Sequence, residues 1–216
     1  MDPGMNSLLK WSVENSNAST SDPTTAPPTS TINPEAMNAL FGGPSDADLM
    51  LSSMTAITSP DPELTLDNKL IAFDNFEQLI ENLDNANNLG PLALWTPLLG
   101  CLDSAESEMR RMAAWCVGTA VQNNEKSQER LLAAGGIPGL AKLAVDGEEV
   151  EGVRRKAVYA LSSACRNYQP AMDVLTAELG KLGRDEWAGK VDAADMDACD
   201  GLIGAMREEA AKGRKE

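Results

Sequence analysis

The chain has 216 residues, of which 43% are apolar and 24% charged but only 4% aromatic, and its net charge is -15. An acid excess of that size argues against a grip on nucleic acid or on an anionic membrane surface, both of which need clustered Lys and Arg. No stretch approaches the roughly 20 apolar residues of a membrane span. Histidine is absent altogether, which removes Ser-His and Cys-His catalysis and His-metal sites. There is no GxGxxG opening a helix after a strand, no GxxxxGK[ST] and no DxDxDG-type loop. No catalytic residue, metal ligand or cofactor is expected, and the chain reads as a non-enzyme. Cys101, Cys116, Cys165 and Cys199 are far apart and form no CxxC, so free thiols are expected. With "MDPGMNSLLK" lacking the basic flank and apolar core of a signal peptide, the expected location is the cytoplasm.

In chain order, residues 1–33 are expected to be a disordered arm. "NSNASTSDPTTAPPTSTINP" is a Ser/Thr/Pro/Asn tract with almost nothing to bury, and it follows a short apolar motif, "LLKWSV", at 8–13. Residues 34–66 hold two short predicted helices. "PEAMNALF" begins on Pro34 and stops at Gly42-Gly43. "SDADLMLSSMTAI" begins at Ser45 with Asp48 three residues on, which suits a capped N-terminus. From Asp67 the pattern is helical throughout, and no period-2 strand is found.

A repeat then becomes visible. "RRMAAWCVGTAVQN" (Arg110 to Asn123) returns 44 residues later as "RRKAVYALSSACRN" (Arg154 to Asn167). The first copy sets Ala113, Val117, Ala120 and Val121 on one helix face, and the second sets Ala157, Leu161, Ala164 and Cys165 there. Forty-one residues before the first copy, "KLIAFDNFEQLIEN" writes the same face with Ala72, Phe76, Leu79 and Ile80, and also ends in Asn, at Asn82. The spacer "NEKSQERLLAAGGIPGLAKLA" predicts a short helix, a stop at Gly135-Gly136, and a helix opened by Pro138 with Leu140 and Leu143 inward. Pro97, Leu99 and Leu102 stand 41 residues before Pro138, Leu140 and Leu143. A unit of short helix, helix and longer helix at a period of 41 to 44 belongs to the armadillo and HEAT solenoids. The predicted fold is therefore all-α, an armadillo-like solenoid of about three repeats over 67–178. The third unit lacks its Gly-Ile-Pro turn. Residues 179–216 are read as an insertion plus a capping helix with Cys199, Leu202, Ile203 and Met206 inward and a basic end at Lys212, Arg214 and Lys215.

Such a stack offers a concave face, lined by the last helix of each unit, that grips another protein. The peptide groove of importin-alpha needs repeated Trp-Asn pairs four residues apart. Here the equivalent pairs are Asp74/Gln78, Trp115/Thr119 and Tyr159/Ser163, so that ladder is missing. Trp115 and Tyr159 are expected to pack rather than recognise, and Phe73, Phe76 and Trp95 to be core. Arg110, Arg111, Arg154 and Arg155 open helices, where the dipole disfavours cations, and are expected to pair with acids of neighbouring repeats.

"NSLLKWSVENS", "LFGGPSDADLM" and the long "KLIAFDNFEQLIENLDNANNLGPLALWTPLL" resemble the fungal Fes-one / Hsp-binding-protein-one family over most of residues 5–178. The resemblance implies an armadillo nucleotide exchange factor for the cytosolic heat-shock protein 70 chaperone, acting as a monomer on its nucleotide-binding domain to promote ADP and client release. It implies partner contacts at the ends of the long helices and in the "LDNANN" turn: Glu81, Asn82, Asn85, Ala86, Asn88, Asn123, Asn124, Arg166 and Asn167. Ala86 is picked as a small side chain that lets a partner backbone approach. For Asn82, Asn123 and Asn167 the plain alternative is that Asn ends helices because it tolerates left-handed geometry. Leu8, Leu9 and Trp11, on their tether, could imitate a client in the chaperone's substrate groove, or dock as a helix on the solenoid itself. Longer family members carry a fourth repeat where this chain has "GKLGRDEWAGK" and a terminal helix, so contacts from that repeat do not carry over. From another functional class, a plain armadillo scaffold that binds an unrelated partner fits the same residues.

Overall fold

The computed structural model describes residues 42–212, and among these every regular element is helical. The arm with Leu8, Leu9 and Trp11, the helix predicted at "PEAMNALF", and the terminal bases Arg214 and Lys215 lie outside the described residues. From Asp46 on, the elements form one compact unit. They are α1 (Asp46–Thr58), α2 (Leu66–Ile80), α3 (Leu83–Asn88), α4 (Trp95–Gly100), α5 (Ser107–Val121), α6 (Glu125–Ala133), α7 (Gly136–Val145), α8 (Glu151–Cys165), α9 (Gln169–Lys181) and α10 (Met196–Ala211). Single 3-10 turns lie at Cys101–Asp103 and Asp185–Trp187.

The repeated sequence becomes a ladder of long helices. α1 packs on α2, α2 on α5, α5 on α8 and α8 on α10. The predicted apolar faces are the contacts. Ala113, Val117, Ala120 and Val121 are buried, as are Ala157, Leu161, Ala164 and Cys165; in the earlier segment on α2, Ala72, Phe76 and Ile80 are buried and Leu79 is half-buried. Phe73, Phe76 and Trp95 lie in the core. A second layer supports the ladder: α3 touches α6, α6 touches α9, and α7 lies against α8 and α9. Leu140 and Leu143 point inward from α7 as predicted.

The links between units follow from single residues. α5 and α8 each stop at an extended residue, Gln122 and Arg166, and the next residue, Asn123 or Asn167, takes a left-handed backbone with φ of 52° and 56°. Asn accepts that conformation at little cost. Gly135, at φ 72°, separates α6 from α7 in the same way. Two expectations need correction. "LDNANN" is a six-residue helix, α3, rather than a turn: Asn82 caps it by accepting from the backbone N–H groups of Asp84 (2.9 Å) and Asn85 (3.4 Å). α9 has 13 residues against nine in α6, so the third unit's first helix is not short.

Contact pairs give the helix directions. Phe73 meets Cys116 and Glu77 meets Thr119, while Arg111 lies under Gly152 and Gly118 under Ala160. Each pair is separated by 41 to 43 residues, so α2, α5 and α8 run parallel and in register. α10 is reversed. Its first turn meets the end of α8, through Met196 and Asp200 on Arg166, and its end meets the start of α8, through the Lys212 carbonyl on Arg154. α1 is also reversed against α2, to which a short loop joins it: Lys69 near the start of α2 donates to the Ser59 carbonyl just past the end of α1 (2.6 Å). Cys199, Leu202, Ile203 and Met206 are buried beneath α10, the face predicted for a capping helix.

Candidate partner-binding face

With one side of each ladder helix in the core, the other side is left as a half-buried stripe. On α5 it carries Glu108, Arg111, Trp115 and Thr119, and on α8 Gly152, Lys156, Tyr159 and Ser163. Cross-helix contacts join the stripes into one face. Thr119 Oγ1 donates to Oε1 of the buried Glu77 (2.7 Å). Lys156 Nζ sits 3.8 Å from the centre of the Trp115 ring, a cation–π contact. Burial, followed by the charge of Arg111, lowers the Lys156 pKa below its ordinary 10.5. The Tyr159 ring covers Gly118, where a Cβ would lie 2.4 Å from Cε1, and the Tyr159 hydroxyl donates to Gln122 Oε1 (3.2 Å). Trp115 and Tyr159 therefore pack between helices, as expected, while each keeps part of its ring accessible. Gln78 Nε2 donates to Asp74 Oδ2 (3.0 Å), so the position equivalent to Trp115 is occupied by a self-satisfied polar pair.

The nine residues singled out from the sequence divide by burial. Glu81, Asn82, Asn88, Asn123 and Asn167 are exposed at helix ends. Asn85, Ala86 and Asn124 are buried. Asn85 Nδ2 donates to Asp46 Oδ2 (2.7 Å) and to the Leu79 carbonyl (3.0 Å), tying α1 to α2. Asn124 caps α6: its Oδ1 accepts from the Ser127 N–H (3.3 Å), and its Nδ2 donates to Ser127 Oγ (2.9 Å). From α6, Ser127 Oγ donates to the Ala86 carbonyl at 3.4 Å. Arg166 is half-buried and held by Asp200, Ser162 Oγ and Met196 Sδ. The Asn167 N–H donates to the Ala193 carbonyl (2.9 Å), fastening the loop before α10. Among the nine, Asn123 and Arg166 line one hollow beside α10.

Of the four arginines that open helices, two reach the next unit. Arg110 makes a two-pronged ion pair with Glu149 (2.6 and 2.8 Å) and also donates to the Ser104 and Ala105 carbonyls. Arg154 donates to the Lys212 carbonyl (2.6 Å). Arg111 and Arg155 pair within their own helices, with Glu108 and Glu151. Burial pushes the Cys101 thiol up to about 11 and raises Cys116, Cys165 and Cys199 as well, so at neutral pH all four are protonated and poor nucleophiles. Sequence reasoning missed the Thr119–Glu77 bond and the Lys156–Trp115 stack. Their partners lie about 42 residues apart, and the repeat period is the only signal that pairs them.

A protein of Gibberella zeae described as Hsp70 nucleotide exchange factor FES1 is 61% identical over 98% of this chain and 99% of its own length. The chain belongs to the Fes1 family. The family description "Nucleotide exchange factor Fes1" matches residues 5–89, which takes in nearly all of the sequence before α1 together with α1 to α3. A Fes1 relative from Neurospora crassa is 51% identical over 97% of the chain and 99% of the relative. A relative from Eremothecium gossypii is 46% identical over 77% of the chain but only 57% of its own length. Among solved structures, an engineered protein superposes with a TM-score of 0.53 at 17% identity, covering 81% of this chain and 67% of that one, which supports the helical fold. No helix among the described residues is long and apolar enough to cross a membrane.

Proposed function

We propose that this chain is a nucleotide exchange factor for cytosolic Hsp70, and that the face of α2, α5 and α8 holds one lobe of the chaperone's nucleotide-binding domain. The observation that carries the reading is the 61% identity, over nearly the whole of both chains, to a protein described as an Hsp70 nucleotide exchange factor. The ladder supports it physically: three parallel helices in register present a continuous polar and aromatic surface on a rigid base. The surface fits the opened nucleotide cleft better than the closed one that holds ADP. By linkage, whatever the factor does to ADP affinity, ADP does to factor affinity. Couplings of about 1–3 kcal/mol correspond to a roughly five- to 150-fold shift, and binding alone supplies them, with no covalent chemistry. Faster ADP loss then leads to ATP rebinding and client release.

Within this reading the exposed helix-end residues Glu81, Asn82, Asn88, Asn123 and Asn167 and the half-buried Arg166 edge the contact, and the buried Asn85, Ala86 and Asn124 form the rest of the proposed partner site just behind them. Leu8, Leu9 and Trp11 occupy the client groove from a tether that keeps them at high effective concentration. The factor works as a monomer in the cytoplasm. Stopped-flow release of fluorescent ADP from Hsp70 tests the core of the proposal. The off-rate should rise with added factor and saturate, and a rate that stays flat across the titration leaves only a scaffold that binds without exchange. Removing residues 1–30 should slow client release while ADP release stays near normal; client release at the full-length rate would dismiss the mimic.

A further inference from the structure

On the side of α10 the face ends in a hollow of about 210 Å³. α8 supplies Tyr159, Ser162, Ser163 and Arg166, the end of α5 supplies Gln122, and α10 supplies Arg207. Most of these groups are already committed. Arg166 is held by Asp200, Ser162 and Met196, and the Gln122 amide oxygen accepts from Tyr159. Arg207 is not: it is exposed and makes no ion pair or side-chain hydrogen bond among the described residues. Asp200 pairs with Arg166 and also feels the charge of Arg207, so one carboxylate serves two guanidinium groups here, on a chain of charge -15. Most other arginines of the ladder and cap, Arg110, Arg111, Arg155, Arg166 and Arg184, have a carboxylate of their own.

We propose that this hollow is a carboxylate pocket, in which Arg207 receives an Asp or Glu side chain of the protein held by the ladder. α10 is then a contact element as well as a cap, standing where longer relatives continue. The inference rests on the exchange-factor reading and adds to it a residue and a recognition chemistry. Size favours a side chain over a free ligand, since small-molecule sites usually enclose about 300–1,000 Å³. The guanidinium fork matches a carboxylate with two parallel hydrogen bonds, and Ser162 and Ser163 line the same hollow. The reversal of α10 brings this about: running antiparallel to α8, it sets position 207 opposite Tyr159 and Ser162, near the end of the stripe.

The test titrates the full-length chain against intact Hsp70 at several salt concentrations, with ADP release followed in parallel. Arg207→Gln should weaken binding by about two- to fivefold and make the salt dependence shallower. Arg207→Glu should weaken it by about tenfold or more through repulsion, and Arg207→Lys should recover most of the loss. Melting temperatures should match the wild type. Equal affinity for Arg207→Glu and wild type would overturn the pocket while leaving the exchange reading intact. A melting temperature that falls in step with affinity would overturn it too, by assigning Arg207 to packing. A wild-type chain that neither binds Hsp70 nor speeds ADP loss would sink the exchange reading itself and the pocket with it.

Discussion

The joint between α5 and α8 and the joint between α8 and α10 are built on opposite principles. The first is parallel and dry. Gly118 receives the Tyr159 ring and the Ala160 backbone, and Ala113, Ala120, Ala157 and Ala164 let the helices close on one another. The second is antiparallel and pinned at both ends by arginine, with Arg166 on Asp200 at one end and Arg154 on the Lys212 carbonyl at the other. Here Gly201 and Gly204 face open space. Interior helices can rely on small side chains because the same shape recurs on the next unit. A terminal helix has no copy to match, and polar clamps fix its register. Reversal also explains Arg154. A cation at a helix N-terminus is disfavoured by its own dipole, but here it meets the carbonyl end of α10, where cations are favoured.

The comparison can be broken most severely at Arg110–Glu149, the clip between the first turn of α5 and the segment that precedes α8. Glu149→Gln leaves a half-buried guanidinium without its carboxylate and should cost about 1.5–3 kcal/mol in urea unfolding. Burial alone would raise the Glu149 pKa, but the bonds from Arg110 and the Val150 N–H outweigh it and hold the group below its ordinary 4.5. The contribution is therefore fully present above about pH 4.5 and is lost as pH falls through the lower folded value. Wild-type stability should drop more steeply below that point than the stability of Glu149→Gln; parallel curves would show the clip to be inert.

The glycines give the next largest contrast. Gly118→Ala must displace Tyr159 and crowd the Ala160 backbone, with an expected loss of about 1–3 kcal/mol. Gly204→Ala, on a helix of the same ladder, meets nothing and should gain about 0.5–1 kcal/mol. Equal effects in thermal melts would erase the distinction between dry joint and open cap. The smallest change is expected for Arg154→Met. It loses the Lys212 bond but also removes an Nε that is buried without a partner, so global stability should shift by less than about 1 kcal/mol. Hydrogen exchange in the last turn of α10 should nevertheless speed up, and unchanged protection there would dismiss Arg154 as a clamp.

Much of this architecture could be read from the chain. A period of 41 to 44 residues, apolar positions at i, i+4, i+7 and i+8, Asn at the ends of long helices, and Gly-Ile-Pro between shorter ones all act within a few turns of backbone. They identified the ladder, the cap and the links between units. The candidate face was less legible. Asn85, Ala86 and Asn124 looked like surface residues because their neighbours in sequence are polar, yet α1 and α6 cover them. Arg207 and Lys156 attracted no notice, because their significance lies in what stands opposite them on another helix.

The sequence by itself determined the long helices of the ladder, the Asn and Gly stops between units, and which side of each long helix is apolar, since those properties follow from local backbone preference and periodicity; the short helix α3 and the length of α9 it did not. Only the tertiary structure decided that α10 runs against its neighbours, that three polar-flanked residues turn inward, and that Arg166 and Arg207 share a hollow. Direction and distance between helices depend on how separate faces mesh, and no local stretch of chain encodes them.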